Sequence, residues 1–262
     1  AEVVEVPTDD ADGFTPRAEP LLAAIGPRTR AVILNSPCNP TGGVMPAQDL
    51  RALVEGCARR GVVVISDETY ERFVYDGDTA ASAATLAAEF PETVALVGSF
   101  SKTYAMTGWR LGYLLGPSEL VDAAARIQGH ATSNPTSFAM VGALAALEGA
   151  EPEVEAMIAE YQARRDLLVP RLTAIPGIRC AVPRGAFYAF PDVSALFGDG
   201  AGSSVEWAER LLEEEAVALV AGEAFGSDRH VRISFACSRE TLEKGVERIA
   251  RFAARRAATG VT

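Results

Sequence analysis

Lysine is scarce in this chain, and one of its two lysines stands among residues equipped to handle an amine. Of 24 basic residues, 22 are arginine, and the two lysines are Lys102 and Lys244. Arginine keeps its proton in a protein and cannot condense with a carbonyl, whereas a lysine amine can do both. Lys244 lies in a charged, helical C-terminal stretch and reads as a solvated surface residue. Lys102 closes the run Gly98-Ser99-Phe100-Ser101-Lys102, and Arg110 follows eight residues later. Two other polar clusters occupy comparable places, each within five residues of a short apolar run. Asn39, Pro40, Thr41 and Gly42 follow residues 31–34, and Ser66, Asp67, Glu68, Thr69 and Tyr70 follow residues 62–65.

Each cluster alone has an ordinary explanation: a proline turn, a helix cap, a surface lysine. Together they suggest one chemistry. A lysine amine can form an imine with an aldehyde, and two serines with an arginine can bind a phosphate through charge-assisted hydrogen bonds. A buried carboxylate such as Asp67 can keep a proton on a pyridine nitrogen. A phenol and an amide, Tyr70 and Asn39, can hydrogen-bond a ring oxygen. Aldehyde, phosphate, pyridine nitrogen and ring oxygen together describe pyridoxal phosphate. Competing chemistries fit less well. The run ending at Lys102-Thr103 resembles a nucleotide-binding loop in outline but lacks the glycine before the lysine, and no G-x-G-x-x-G or G-x-S-x-G occurs.

The elements that must position these groups read as an α/β alternation. Residues 31–34, 62–65 and 94–97 are short, largely β-branched apolar runs of the kind buried in a parallel sheet. Pro46 opens a helix that Gly61 closes, and a second helix is expected at 82–89. Further strands are expected at 3–6 and 109–115. Right-handed crossovers then bring the polar clusters to the carboxyl ends of the strands, where open α/β sheets bind ligands. After Pro117 come helices at 119–129, 137–148 and 153–172. Short strands at 178–182, 186–190, 216–220 and 230–235 then alternate with helices at 205–215 and 240–257. The expected organisation is a large α/β domain over 1–150, mostly parallel, and a smaller α+β domain over 151–262 entered by a long connecting helix.

Composition narrows the function classes. Thirty-five acidic residues against 24 basic give a formal charge of −11, which disfavours nucleic acid and anionic membranes as partners. No apolar run approaches the roughly 20 residues that cross a bilayer. Four scattered cysteines and two histidines without metal-ligand spacing suggest no metal site and a reducing, cytoplasmic setting. The chain opens on an apolar stretch with no initiator methionine, and is expected to be the later part of a longer protein.

The motifs as a set resemble the class I aminotransferases of fold type I. Asn39-Pro40-Thr41-Gly42, Asp67 with Tyr70, Ser99-x-Ser101-Lys102, Gly108-Trp109-Arg110 and Val231-Arg232-Ile233-Ser234-Phe235 carry the resemblance. The stretch 128–137 is similar to the bacterial aspartate aminotransferase subgroup. The resemblance implies that Lys102 holds pyridoxal phosphate and then moves the substrate's α-proton, and that Asp67 pairs with the pyridine nitrogen. Asn39 and Tyr70 would hold the ring oxygen, while Ser99, Ser101 and Arg110 bind the phosphate. Arg232, with Asn39, would clamp the α-carboxylate from the small domain, in a site that closes on the substrate. It also implies ping-pong transfer between an amino acid, aspartate favoured, and a 2-oxo acid, in a homodimer. A pyridoxal-phosphate lyase on the same fold and a non-catalytic, aminotransferase-like regulatory domain remain alternatives at this point.

Overall fold

The computed structural model describes residues 1–198 and 201–259, which form two compact units. The first comprises Ala1–Asp9, Thr15–Cys38 and Gly43–Ile158; the second comprises Asp10–Phe14, Asn39–Gly42 and the described part of Ala159–Thr262.

The first unit is an α/β sheet. Its elements are α1 (Ala18–Ala23), β1 (Ala31–Asn35), α2 (Ala47–Ala58), β2 (Val63–Asp67), β3 (Val94–Ser99), α3 (Phe100–Thr103), β4 (Gly112–Leu115), α4 (Ser118–Ala131) and α5 (Ser137–Gly149). The strand order is β1-β2-β3-β4, with the first three parallel and β4 antiparallel at one edge. One face of the sheet is sealed by α2. Leu53, Val54 and Cys57 from the helix meet Leu34, Val64 and Val94 from the strands. Burial of each such Leu or Val side chain stabilises the unit by about 1.5–3 kcal/mol. The helix stops where Gly61 takes a φ of +62°, which a residue without Cβ adopts at little cost, and the chain turns directly into β2.

Helix α5 is apolar on nearly every side, yet only Ala139 and Ala143 are buried, while Phe138, Val141, Leu144 and Leu147 are exposed. A helix of that composition is ordinarily covered all round.

The second unit carries a small antiparallel sheet, β5 (Tyr188–Ala189), β6 (Val220–Ala221) and β7 (Val231–Ser234), in the order β5-β7-β6. Its helices are the later part of α6 (Glu151–Thr173), α7 (Ser204–Glu215) and α8 (Arg239–Thr259). Trp207 of α7 meets Phe252 of α8 edge-on, with ring centres 5.4 Å apart, and both are fully buried. Ser203 caps α7 by accepting the N–H of Glu206 at 3.2 Å. The mostly parallel α/β sheet flanked by helices and the small α+β unit agree with the fold class read from the sequence.

Several elements differ from expectation, each for a local reason. Residues 3–6 form no strand and pair with none of the described ones; Val3 and Val4 are exposed. The helix expected at 82–89 shrinks to a 3-10 turn, Ala83–Leu86, its successive N–H groups bonding three residues back. The strand expected from Trp109 starts only at Gly112, because Arg110 is left-handed at φ 57°. In 178–182 only Arg179 pairs, bridging Asp192. Ala216 ends α7 in the left-handed region, at φ 53°, and delays the next strand to Val220. Among the described residues, no helix is long and apolar enough to cross a membrane.

Candidate active site

In the first unit, two adjacent parallel strands end side by side, and the polar clusters follow directly. Asp67 is the last residue of β2, in register with Val97 of β3. Its carbonyl oxygen accepts from Asn35 Nδ2 and from the Ser36 N–H, both at 3.2 Å. Its carboxylate Oδ1 accepts the Thr69 N–H at 3.1 Å, which turns the chain at once and delivers Tyr70, 5% exposed. Glu68 points elsewhere: it is buried and accepts from Ser66 Oγ and the Ala83 N–H, so it serves the fold.

Ser99 ends β3 and caps α3. Its Oγ accepts the Ser101 N–H at 3.0 Å and donates to the Leu111 carbonyl at 3.3 Å. The cap places Ser101 and the half-buried Lys102 in the first turn beyond the strand. Thr103, fully buried, donates through Oγ1 to Glu71 Oε1 at 3.0 Å. That bond ties the residue after Lys102 to the segment carrying Asp67 and Tyr70. Burial pushes the Glu71 carboxyl above its ordinary range, partly offset by its hydrogen bonds from its own backbone and from Thr103. Arg110 is exposed, and its Nη1 donates to the Thr107 carbonyl at 3.0 Å. Thr107 Oγ1 in turn donates to the Ser101 carbonyl at 2.8 Å. Asp67, Tyr70, Ser99, Ser101, Lys102 and Arg110 therefore belong to one compact unit and follow two neighbouring strand ends of one sheet.

The second unit brings together the other two residues singled out in the sequence. Asn39 lies in the segment Asn39–Gly42, and the Gly42 carbonyl accepts the N–H groups of Arg184 at 3.0 Å and Gly185 at 2.9 Å. Arg232 sits on the central strand β7, and its Nη1 donates to Asn39 Oδ1 at 3.0 Å. Two aromatic rings face its guanidinium: Tyr188 at 4.7 Å and Phe225 at 5.1 Å. Its Nε is buried and has no hydrogen-bond partner.

The sequence alone gives Tyr188 and Phe225 no role. Tyr188 pairs with Ser234, so Arg232, two residues before Ser234, is its diagonal neighbour on the same face.

The same unit holds an ion cluster. Asp192, almost fully buried, receives Arg179 at 2.7 Å and Arg229 at 2.5 Å on one carboxylate oxygen. Its other oxygen accepts the Ser194 N–H and hydroxyl. Burial alone would raise its pKa, but the bonds from Ser194, Arg179 and Arg229 outweigh it and hold the carboxyl well below the usual range. Asp10 and His230 approach Asp192 in a group of potential metal ligands, and the two guanidinium groups already neutralise the charge a cation would need there.

Over residues 1–249 the chain matches the family model described as aminotransferase class I and II. It is similar to an aspartate aminotransferase of Geobacillus stearothermophilus, 44% identical over 240 residues, an alignment covering 91% of this chain and 61% of that protein. Among solved structures it is similar to the aspartate aminotransferase from Rhizobium meliloti, with a TM-score of 0.88 and 41% identity over 94% of this chain and 64% of that one. It is also similar to the aromatic aminotransferase from Pyrococcus horikoshii OT3, with a TM-score of 0.89 and 39% identity over 97% of this chain and 68% of that one. The chain spans about three-fifths of the length of the first of these relatives. With its polar residues following the ends of β2 and β3 and a family match running from residue 1 to residue 249, the chain belongs to the class I and II aminotransferases.

Proposed function

We propose that this chain supplies the cofactor-holding lysine and the substrate-clamping arginine of a pyridoxal-phosphate-dependent aminotransferase. The reaction moves an amino group between an amino acid, aspartate favoured, and a 2-oxo acid in two ping-pong half-reactions. One observation carries the reading: Asp67, Tyr70, Ser99, Ser101, Lys102 and Arg110 follow the ends of two adjacent parallel strands in one compact unit. That donor set suits the cofactor group by group. A carboxylate matches the pyridine nitrogen, a phenol the ring oxygen, two hydroxyls and a guanidinium the phosphate, and an amine the aldehyde.

When bound, pyridoxal phosphate supplies a protonated ring that delocalises the negative charge left at the substrate's Cα. Lys102 Nζ holds the cofactor and then, as a free amine, takes the α-proton and returns it on the other side of the transfer. Asp67 keeps the ring nitrogen protonated. Tyr70 and Asn39 hold the ring oxygen. Ser99, Ser101 and Arg110 anchor the phosphate against the pull of the reaction. Arg232 and Asn39 bind the α-carboxylate common to all amino acid substrates, which explains class recognition but not side-chain preference. The same reading assigns residues 1–150 to a large cofactor-binding domain and 151–262 to a small C-terminal domain. It extends to a cytoplasmic homodimer, and the exposed apolar residues of α5 offer surface for such an assembly.

The test is a product assay on the full-length protein with aspartate and 2-oxoglutarate. Glutamate and oxaloacetate in equal amounts are expected. Ammonia, pyruvate and a thiol released in equal amounts from an S-alkylcysteine, with no amino transfer from aspartate, would replace the reading with a carbon–sulfur lyase.

A further inference from the structure

We infer that Tyr188 and Phe225 are positioning residues that fix the guanidinium of Arg232 for α-carboxylate binding. The inference rests on the proposed role of Arg232 and goes beyond it by naming what orients that side chain.

An arginine has four side-chain torsions, and its bidentate fork is useful only when its plane is held. Here, the plane is held three ways within one compact unit. Nη1 is tethered to Asn39 Oδ1 at 3.0 Å. The Tyr188 ring lies 4.7 Å from the guanidinium carbon and the Phe225 ring 5.1 Å from it. A guanidinium over aromatic faces gains cation–π attraction, and more so where water is excluded. Each ring is itself immobilised. Tyr188 is fixed by strand pairing with Ser234 and by packing on Phe187, ring centres 4.8 Å apart. Phe225 meets Phe190 edge-on at 6.1 Å, and Phe190 stacks on His230 at 4.8 Å. Both Tyr188 and Phe187 are buried. The orphaned Nε marks the arrangement as one awaiting an acceptor, because a buried donor without a partner costs about 1–3 kcal/mol. A carboxylate meets that need, and the fixed plane means little entropy is lost when it binds.

The test compares Tyr188→Phe, Tyr188→Leu, Phe225→Leu and Arg232→Lys in the full-length holoenzyme, reading KM and kcat separately for an amino acid substrate. Each leucine variant is expected to raise KM about threefold to thirtyfold with kcat nearly unchanged, the loss of one ring face from a shielded guanidinium. Tyr188→Phe keeps the face and is expected to match the parent. Leucine variants that leave KM unchanged while Arg232→Lys raises it would overturn this inference and leave the role of Arg232 standing. An unchanged KM in Arg232→Lys would overturn both. A second readout is independent of turnover and of the leucine variants' folding: the Nε–H proton resonance of Arg232 in the parent protein. Ring faces on the guanidinium shift it upfield of an ordinary arginine, and a resonance at the ordinary position would contradict the clamp.

Discussion

Arg232 reaches across 193 positions of sequence to donate a 3.0 Å hydrogen bond from Nη1 to Asn39 Oδ1. The family resemblance pairs these two at the substrate's α-carboxylate, one from a late strand and one from a proline turn. The bond makes them a single device. Asn39→Ala removes the acceptor and frees the fork without removing its charge. The expected result is a KM for amino acid donors raised by about ten- to hundredfold, the ~1.5–3 kcal/mol range for a hydrogen bond to a charged group that also binds substrate. Steady-state kinetics on the variant checks this, and an unchanged KM would mean that the tether is idle.

Gly42 holds the same turn in shape. Its φ is +71°, and a Cβ built there would lie 2.3 Å from Pro183 Cβ and 2.9 Å from the Gly185 carbonyl oxygen. Gly42→Ala therefore carries both a left-handed backbone penalty and an overlap with neighbouring backbone. A loss of about 2–4 kcal/mol is expected in urea unfolding. A variant as stable as the parent would show that the turn relaxes freely.

Asp192 gives the second unit an acid-sensitive point. Its folded pKa is depressed, so the unfolded chain takes up a proton first as pH falls. The stability contributed is complete above the unfolded carboxylate pKa of about 3.9 and is lost progressively below it. Urea midpoints measured from pH 6 to pH 3 should fall more steeply for the parent than for Asp192→Asn. Equal slopes would remove Asp192 from the acid transition.

Cys57 is fully buried against the sheet, and burial pushes its thiol up to about 11; Cys180 is pushed by burial to about 12. Thiolates are the reactive form, so alkylation at pH 8 should spare both in the native protein and modify both after denaturation. Rapid native labelling of Cys57 would show that α2 opens readily from the sheet.

Much of the first unit was legible because its signals are local. Apolar runs at 31–34, 62–65 and 94–97 mark β1, β2 and β3, and each polar cluster follows its run within a few residues. The antiparallel direction of β4 was not legible, since pairing direction depends on the turn made by Arg110 in the left-handed region. The bond between Thr103 and Glu71, which ties the segment of Lys102 to that of Tyr70, joins residues 32 apart and leaves no periodic trace. Tyr188 and Phe225 were missed for the same reason. Their role comes from a diagonal strand neighbour and a loop aromatic, and neither shows until the small sheet is assembled. The short strands of that sheet, two to four residues each, are below the length at which alternation can be read.

The most direct measurement concerns Lys102. The full-length protein is incubated with pyridoxal phosphate, reduced with borohydride, digested and mapped. The expected result is a pyridoxyl group fixed on Lys102 Nζ alone, absent in Lys102→Ala. Label found on Lys244 instead, or no label on Lys102 of the folded protein, would contradict the assignment of Lys102 as the residue that holds the cofactor.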